Sequence, residues 1–291
     1  MINNKSIRDI EELMGEKILK KELLSNSFNI NCIKFTSNNN KIYIAKYYNK
    51  QTKEFNAIKS ELLNLNFFNE LQLNYFPKVI PKSDNNYLIM SYIDNDLLKP
   101  NDTSNSFLNA ITNIHNIKSD FYGFNFDTQI GGLKQNNVKS GSWVDFYKNY
   151  RLGYIYEIIN SSHKMDDSIN KKIESLLNNL EKYIPKKPRA SLLHGDLWEG
   201  NILFKKEYLV GLIDPGSFYG HNELEVAYLR WFSPNFLGNN FLEKYNEIVK
   251  IDDEYLNYEP IYQLYYSLLN VYLWDRSYIE DVKNLLNKIK I

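Results

Sequence analysis

The chain has 291 residues and a mass of 34.5 kDa, enough for one large domain or two modest lobes around a substantial core. Its 35 basic and 35 acidic side chains balance, and no long run of one sign points to nucleic acid or to a charged membrane surface. A single cysteine, Cys32, excludes an internal disulfide, the polar start MINNKSIRDIEELMG has no signal-peptide core, and no stretch approaches the ~18 apolar residues of a membrane span. A reducing cytoplasm is the expected location. In chain order, the spacing of Ile7, Ile10, Leu13 and Met14, then Ile18, Leu19, Leu23 and Leu24, predicts one or two short helices over residues 6–24. Alternating runs at Phe28 to Phe35 and Lys41 to Tyr48, joined through Ser37 to Asn40, predict an antiparallel hairpin. Ile58, Leu62, Leu65 and Phe68 predict a helix, and Tyr87 to Tyr92 a further strand.

That order describes a small α+β lobe, residues 1–93, with Asp94 to Asn105 as its exit. Beyond it, residues 106–117, 143–160, 166–183, 221–232 and 260–290 carry helical periodicity, and a compact strand-rich segment interrupts them at 191–214. The expected architecture is therefore α+β in two lobes, a small β-rich N-lobe and a mostly helical C-lobe, 94–291.

The chemistry concentrates in Ser191 to Phe204, which reads SLLHGDLWEGNILF, and in Leu212-Ile213-Asp214-Pro215. Apolar strands flank each polar group, so a tight glycine-containing loop can aim a carboxylate at a substrate. The spacing from Asp196 to Asn201 equals the D-x-x-x-x-N of a protein-kinase catalytic loop, with His194 two residues ahead of the Asp. An alcohol is a poor nucleophile, so Asp196 would orient it and accept its proton. Asn201 and Asp214 would offer oxygens to a Mg²⁺ that bridges phosphates. Taken singly, an Asp or Asn in a loop more often caps a turn. His194 reads as a brace for the loop. Lys46, on the second strand of the hairpin, is placed to hold phosphate oxygens, and Glu61 on the following helix to pair with it. Glu54 competes for that pairing; Glu61 is preferred because it lies on the edge of the apolar stripe.

LLHGDLWEGNILF and LIDPGSFYGHNELEVAY resemble the hallmark strings of the fructosamine kinase, or ketosamine-3-kinase, family. Further matches run in the same order: Ile114-His115, Tyr122-Gly123-Phe124, Ile130-Gly131, Gln135, Trp143, Phe146, Arg151-Leu152 and Tyr262 to Tyr265. The resemblance covers residues 20–290. It implies a protein-kinase-like fold and ATP-dependent phosphorylation of the 3-hydroxyl of a ketosamine, leading to deglycation. The partners it implies are small ketosamines or glycated proteins, with no nucleic acid or membrane, and the chain a monomer or weak dimer. Carried over by position, Asp196 is the proton acceptor, Asn201 and Asp214 bind Mg²⁺, Lys46 holds phosphate oxygens, and Ser91-Tyr92-Ile93 is the hinge that meets adenine. Trp198 would be a platform for the apolar face of the sugar. His194 and Trp143 are counted on the acceptor side, although core packing accounts equally well for Trp143 and a surface charge for Arg151. His221 and Glu223, just ahead of a helix, read as scaffold.

The sequence departs from the family in three places. Ser25 to Asn29 stands where relatives carry a glycine-rich loop, Ser91 replaces a glutamate at the hinge, and Asn270 and Tyr272 replace a His and an Asn. Cys32, on the strand after that loop, reads as an inert buried thiol. The alternatives are a kinase of another hydroxylated amine, as in aminoglycoside or choline kinases, and a nucleotide-binding pseudokinase.

Overall fold

The computed structural model of the protein describes residues 3–50, 55–96, 98–162, 165–232 and 234–290. Glu54, the competitor for pairing with Lys46, lies outside them. The elements begin with α1 (Asn4–Met14), β1 (Ile18–Ser27), β2 (Ile30–Ser37), β3 (Ile42–Tyr48), α2 (Ala57–Glu70) and β4 (Tyr87–Ser91). There follow α3 (Asn105–His115), β5 (Lys118–Ser119), β6 (Thr128–Ile130), β7 (Leu133–Gln135), α4 (Trp143–Tyr147), α5 (Gly153–Ser162) and α6 (Asp167–Asn178). Four short strands, β8 (Ala190–Leu193), β9 (Ile202–Lys205), β10 (Tyr208–Leu212) and β11 (Phe218–His221), precede the helices α7 (Asn222–Phe232), α8 (Pro234–Leu237), α9 (Phe241–Ile248), α10 (Tyr255–Leu273) and α11 (Ile279–Lys288). The mixed α+β character expected from the sequence is what the structure has.

The elements form two compact units. The first comprises residues up to Lys99 together with Thr128–Lys134 and Gly200–Gly216; the second comprises Pro100–Asp127, Gln135–Glu199 and Ser217 onward.

In the first unit β1 to β4 form one antiparallel sheet in sequence order. Ile33, Phe35, Tyr43, Ala45, Tyr47 and Ile89 point to one face, where Ile7 and Ile10 of α1 cover them. Because side chains alternate along a strand, Ile44, Lys46 and Tyr48 point to the other face. Cys32 sits directly opposite Lys46 on β2 and shares that face. On α2 the buried positions Ala57, Glu61, Asn64, Leu65 and Phe68 follow helical spacing, so Glu61 lies on the buried stripe itself.

The helical reading of residues 6–24 holds only for its first half. Gly15 adopts φ +67° and donates its N–H to Glu11 O and Glu12 O, which ends α1. Ile18 to Leu24 then run as an edge strand exposed along nearly its whole length, with register shifts at Leu19 and Leu24. The apolar spacing misled because a bulged strand and a helix both shift the phase of the pattern, and pairing with β2 decided between them.

The second unit is mostly helical. Its three-stranded sheet, in the order β11-β8-β5, is antiparallel and pairs Phe218 with Leu193 and His221 with Ala190. The long helix expected at 143–160 is broken at Lys148–Leu152 by a stretch of π-helix. The one expected at 260–290 is interrupted near Trp274.

Candidate functional site

Within the first unit, Lys46 Nζ stands 2.7 Å from Glu61 Oε1 and 2.5 Å from Asp214 Oδ1. β3 supplies the lysine and the buried stripe of α2 the glutamate, while Asp214 comes from the far end of the β9–β10 hairpin. Burial alone would push the Lys46 ammonium down, but Asp214 and Glu61 together hold it above its ordinary value. Burial pushes the Glu61 carboxyl up, against the pull of Lys46. A buried ion pair is poor evidence for stability, since desolvation offsets most of the attraction. One ammonium shared between two carboxylates also leaves a net negative charge. Asp214, with its side chain 39% exposed against 5% for Glu61, is the carboxylate a ligand can reach.

The β9–β10 hairpin brings Asn201 and Asp214 to the same end. Ile202 pairs with Leu212, and the Ile213 N–H donates to Asn201 O at 3.0 Å. The Leu212 N–H donates to Tyr75 O at 2.8 Å, and the Asp96 N–H to Phe204 O at 3.2 Å, so both strands are tied to the rest of the unit. Asp214 has φ +57° and precedes Pro215. The left-handed region is unfavourable for a non-glycine residue, and residues ahead of proline are pushed toward extended backbone, so this conformation costs on the order of 1–3 kcal/mol. Such outliers gather at functional sites. Asn201 and Asp214 present hard oxygen donors, and the residual negative charge suits a divalent cation that keeps most of its other ligands as water and phosphate.

At the hinge positions, Ser91 donates its N–H to Lys78 O and accepts the Lys78 N–H on Oγ, both at 2.9 Å. The Lys34 ammonium lies 3.9 Å from the centre of the Tyr92 ring. Ile93 packs so closely on Gly211 that a side chain there would meet it at 2.5 Å.

The glycine-free segment Ser25 to Asn29 is the end of β1 and a two-residue hairpin turn, with Phe28 at φ +52° and Asn29 at φ +63°. Asparagine tolerates that region; phenylalanine does not do so readily. Amides brace the turn. Asn29 Nδ2 donates to Lys50 O at 2.7 Å, Asn49 Nδ2 to Asn26 Oδ1 at 3.0 Å, and Asn31 Nδ2 to Asn49 Oδ1. The absence of glycine alone does not reveal this brace, whose signal in the sequence is the recurrence of Asn at 26, 29, 31 and 49. Burial pushes the Cys32 thiol up to about 11, so it is a poor nucleophile near neutral pH.

In the second unit, β8 delivers His194, Gly195 and Asp196. His194 is fully buried, Asp196 partly exposed, and the Asp196 N–H approaches His194 Nδ1 at 3.3 Å. Ser217 Oγ donates to His194 O at 3.3 Å. Trp198 is partly exposed, its ring edge-on to Phe232 at 5.8 Å between centroids. Trp143 is placed differently. It is fully buried, donates its indole N–H to Tyr262 Oη at 2.8 Å, and packs against Phe146 and Tyr147, so its ring is part of the core. Arg151 is no surface charge: it is buried on the π-helical turn, donates to Asn136 O and Asn137 Oδ1, and stacks over Phe218 at 3.8 Å.

His221 and Glu223 are built into the same core. His221 Nδ1 meets Tyr262 Oη at 2.8 Å, and Glu223 accepts the Asp252 N–H at 2.7 Å and the Tyr258 hydroxyl. Burial pushes His221 down to about 3 and Glu223 up to about 6. Asn270 spends its amide on Tyr266 O at 2.8 Å, and Tyr272 is exposed. Glu225, an acid flanked by Leu224 and Val226 on α7, is not among the residues expected from the sequence; it accepts the backbone N–H groups of His194 and Gly195.

A four-stranded antiparallel sheet with a buried Lys–Glu pair, together with a mostly helical unit that carries an H-G-D loop, defines a kinase-like phosphotransferase. Residues 3–291 match the model of the fructosamine kinase family. The chain belongs to that family, and it is an enzyme of the kinase class. A Pasteurella multocida protein assigned as a ketoamine kinase is 28% identical over 236 residues, spanning 81% of this chain and 80% of the relative. An Arabidopsis thaliana chloroplastic protein-ribulosamine 3-kinase is 28% identical over 202 residues, 69% of this chain and 61% of the relative. In fold, the chain resembles a Thermobifida fusca structure assigned as a fructosamine-3-kinase, with TM-score 0.81, 21% identity and 99% of both chains covered.

Proposed function

We propose that the protein transfers the γ-phosphoryl group of ATP to the 3-hydroxyl of a ketosamine, free or on a glycated protein. The observation that carries this reading is the buried Lys46 held between Glu61 and Asp214, with Asn201 delivered beside Asp214 by the same hairpin. In this reading Lys46 turns its charge from Asp214 to the phosphate oxygens, and Glu61 keeps it in place. Asn201 and Asp214 hold Mg²⁺, which when bound neutralises charge on the phosphates. The backbone of Ser91 to Ile93 meets adenine. Asp196 orients the attacking hydroxyl and takes its proton, and His194 braces the loop beneath it. Trp198 offers its ring to the C–H face of the sugar. The product ester sits on the carbon next to the carbonyl, so loss of a proton from the carbon that bears the amine gives an enaminol that expels phosphate, and water then releases the free amine.

The test is a Mg²⁺-ATP assay across fructosamine, ribulosamine and erythrulosamine substrates, with an aminoglycoside and choline as controls. Asp196→Asn is expected to lower kcat about 10²- to 10⁴-fold while ATP binding persists. Turnover of the controls alone would overturn the ketosamine reading, and ATP binding with no turnover of any acceptor would point to a nucleotide sensor.

A further inference from the structure

The β6–β7 hairpin joins the first unit from far along the chain and meets three of the segments that frame Lys46. β6 packs against α2, the helix that carries Glu61. Thr128 Oγ1 donates to Gly216 O at 3.3 Å, two residues beyond Asp214. At the tip, Gly132 has φ +79°, donates its N–H to Gln129 Oε1 at 2.8 Å, and lies against Phe28. A Cβ on Gly132 would stand 2.8 Å from Phe28 Cβ and 3.1 Å from its Cγ, so only a glycine lets the two segments come this close. Phe28 itself sits in the β1–β2 turn at φ +52°. A phenylalanine in left-handed backbone persists where its surroundings over-determine it, and asparagine or glycine would hold the same turn with less strain. What the ring contributes is its contact with Gly132. The turn so held carries hydroxyls. Ser25 pairs with Cys32, which pairs with Lys46, and Ser27 pairs with Ile30, which pairs with Tyr48. Directly opposed residues share a face, so Ser25 and Ser27 stand on the Lys46 side of the sheet.

We infer that Phe28 is a positioning residue for the nucleotide: latched on Gly132, it fixes the glycine-free turn so that the Ser25 and Ser27 hydroxyls donate to phosphate oxygens beside Lys46. This rests on the proposed reading of the Lys46 face as the ATP site. A glycine-rich loop offers backbone N–H groups to a phosphate and is flexible until the ligand orders it. Here side-chain hydroxyls take that part, and the turn is ordered beforehand by the ring on Gly132 and by the asparagine amides. Ordering in advance reduces the entropy lost on binding, so it acts on nucleotide affinity and leaves the chemical step alone.

Phe28→Asn removes the ring and suits the backbone of the turn better. It is expected to weaken Mg²⁺-ATP binding about 3- to 10-fold by calorimetry, to raise KM for ATP by the same factor with kcat unchanged, and to leave the melting temperature at or above that of wild type. Phe28→Tyr keeps the ring and should bind as wild type does. Gly132→Ala, which drives a methyl group into Phe28, should weaken binding likewise but add little in the Phe28→Asn background. Ser25→Ala combined with Ser27→Ala should also weaken binding, and adding Phe28→Asn to that pair should change it little further. Wild-type affinity in Phe28→Asn, or full additivity with the serine pair, would overturn the inference alone. Wild-type protein that binds no Mg²⁺-ATP would overturn the nucleotide reading and the inference with it. Calorimetry needs no acceptor, so it decides the matter even if no ketosamine is turned over.

Discussion

The two units solve the same problem, an acidic group held in a buried setting, with different partners. In the first, Glu61 and Asp214 are balanced by one side-chain cation, which they share. In the second, Glu225 is balanced by backbone N–H groups and a histidine N–H, donors the fold fixes permanently. On the function proposed above, a site that binds and releases a charged nucleotide is served by exchangeable ion pairs, and a loop that keeps one carboxylate aimed is served by bonds that do not exchange.

The largest test of that contrast is Lys46→Met. It leaves Glu61 buried beside Asp214 without a cation, and breaking a buried pair in this way costs about 3–5 kcal/mol. With Lys46 gone, the Glu61 carboxyl, already pushed up by burial, rises further. A raised acid pKa favours the folded state once protonated, so part of the lost stability should return as pH falls. Urea unfolding at pH 8 and pH 6 measures this, and a variant equally unstable at both would contradict it.

The hydrogen-bonded half predicts the opposite slope. His221 is held down to about 3 against an ordinary 6.5, so between those values the unfolded chain binds a proton that the folded one refuses. Its contribution is full above 6.5 and is lost on acidification toward 3, by at most about 1.4 kcal/mol per pH unit. Glu223, raised to about 6, works against this only from about 6 down to its ordinary 4.5. His221→Gln should flatten the acid limb of the stability profile; an unchanged limb would assign it to other groups.

The smallest effect is expected at the asparagine brace. Asn49→Ala removes a side chain that bonds both Asn26 and Asn31, worth about 1 kcal/mol in hydrogen bonding, and should raise KM for ATP with kcat unchanged. An unaltered KM would separate the hairpin from nucleotide binding.

Much of the candidate site stands out in the sequence because its spacing is local. His194, Asp196 and Asn201 lie within one short segment, and Asp214 follows on a hairpin whose strands announce themselves as apolar runs. Glu61 could be chosen over its neighbours because helical periodicity places it on a buried stripe. What stayed hidden depends on partners far apart in sequence. Trp143 could be read as acceptor-side or core, and Arg151 as a surface charge, until the fold buried them against Tyr262 and Phe218. Ile18 to Leu24 could be helix or strand until β2 paired with them.

By itself, then, the sequence determined the α+β class and the family, since each is written in short-range spacing and residue type. Only the tertiary structure decided that residues 200–216 belong to the first unit with Lys46, and that Glu225 and His115, 110 residues apart, meet beside His194 and Gly195. A buried polar group takes whichever donor the packed chain brings within hydrogen-bonding distance, and that choice is made only once the chain has folded.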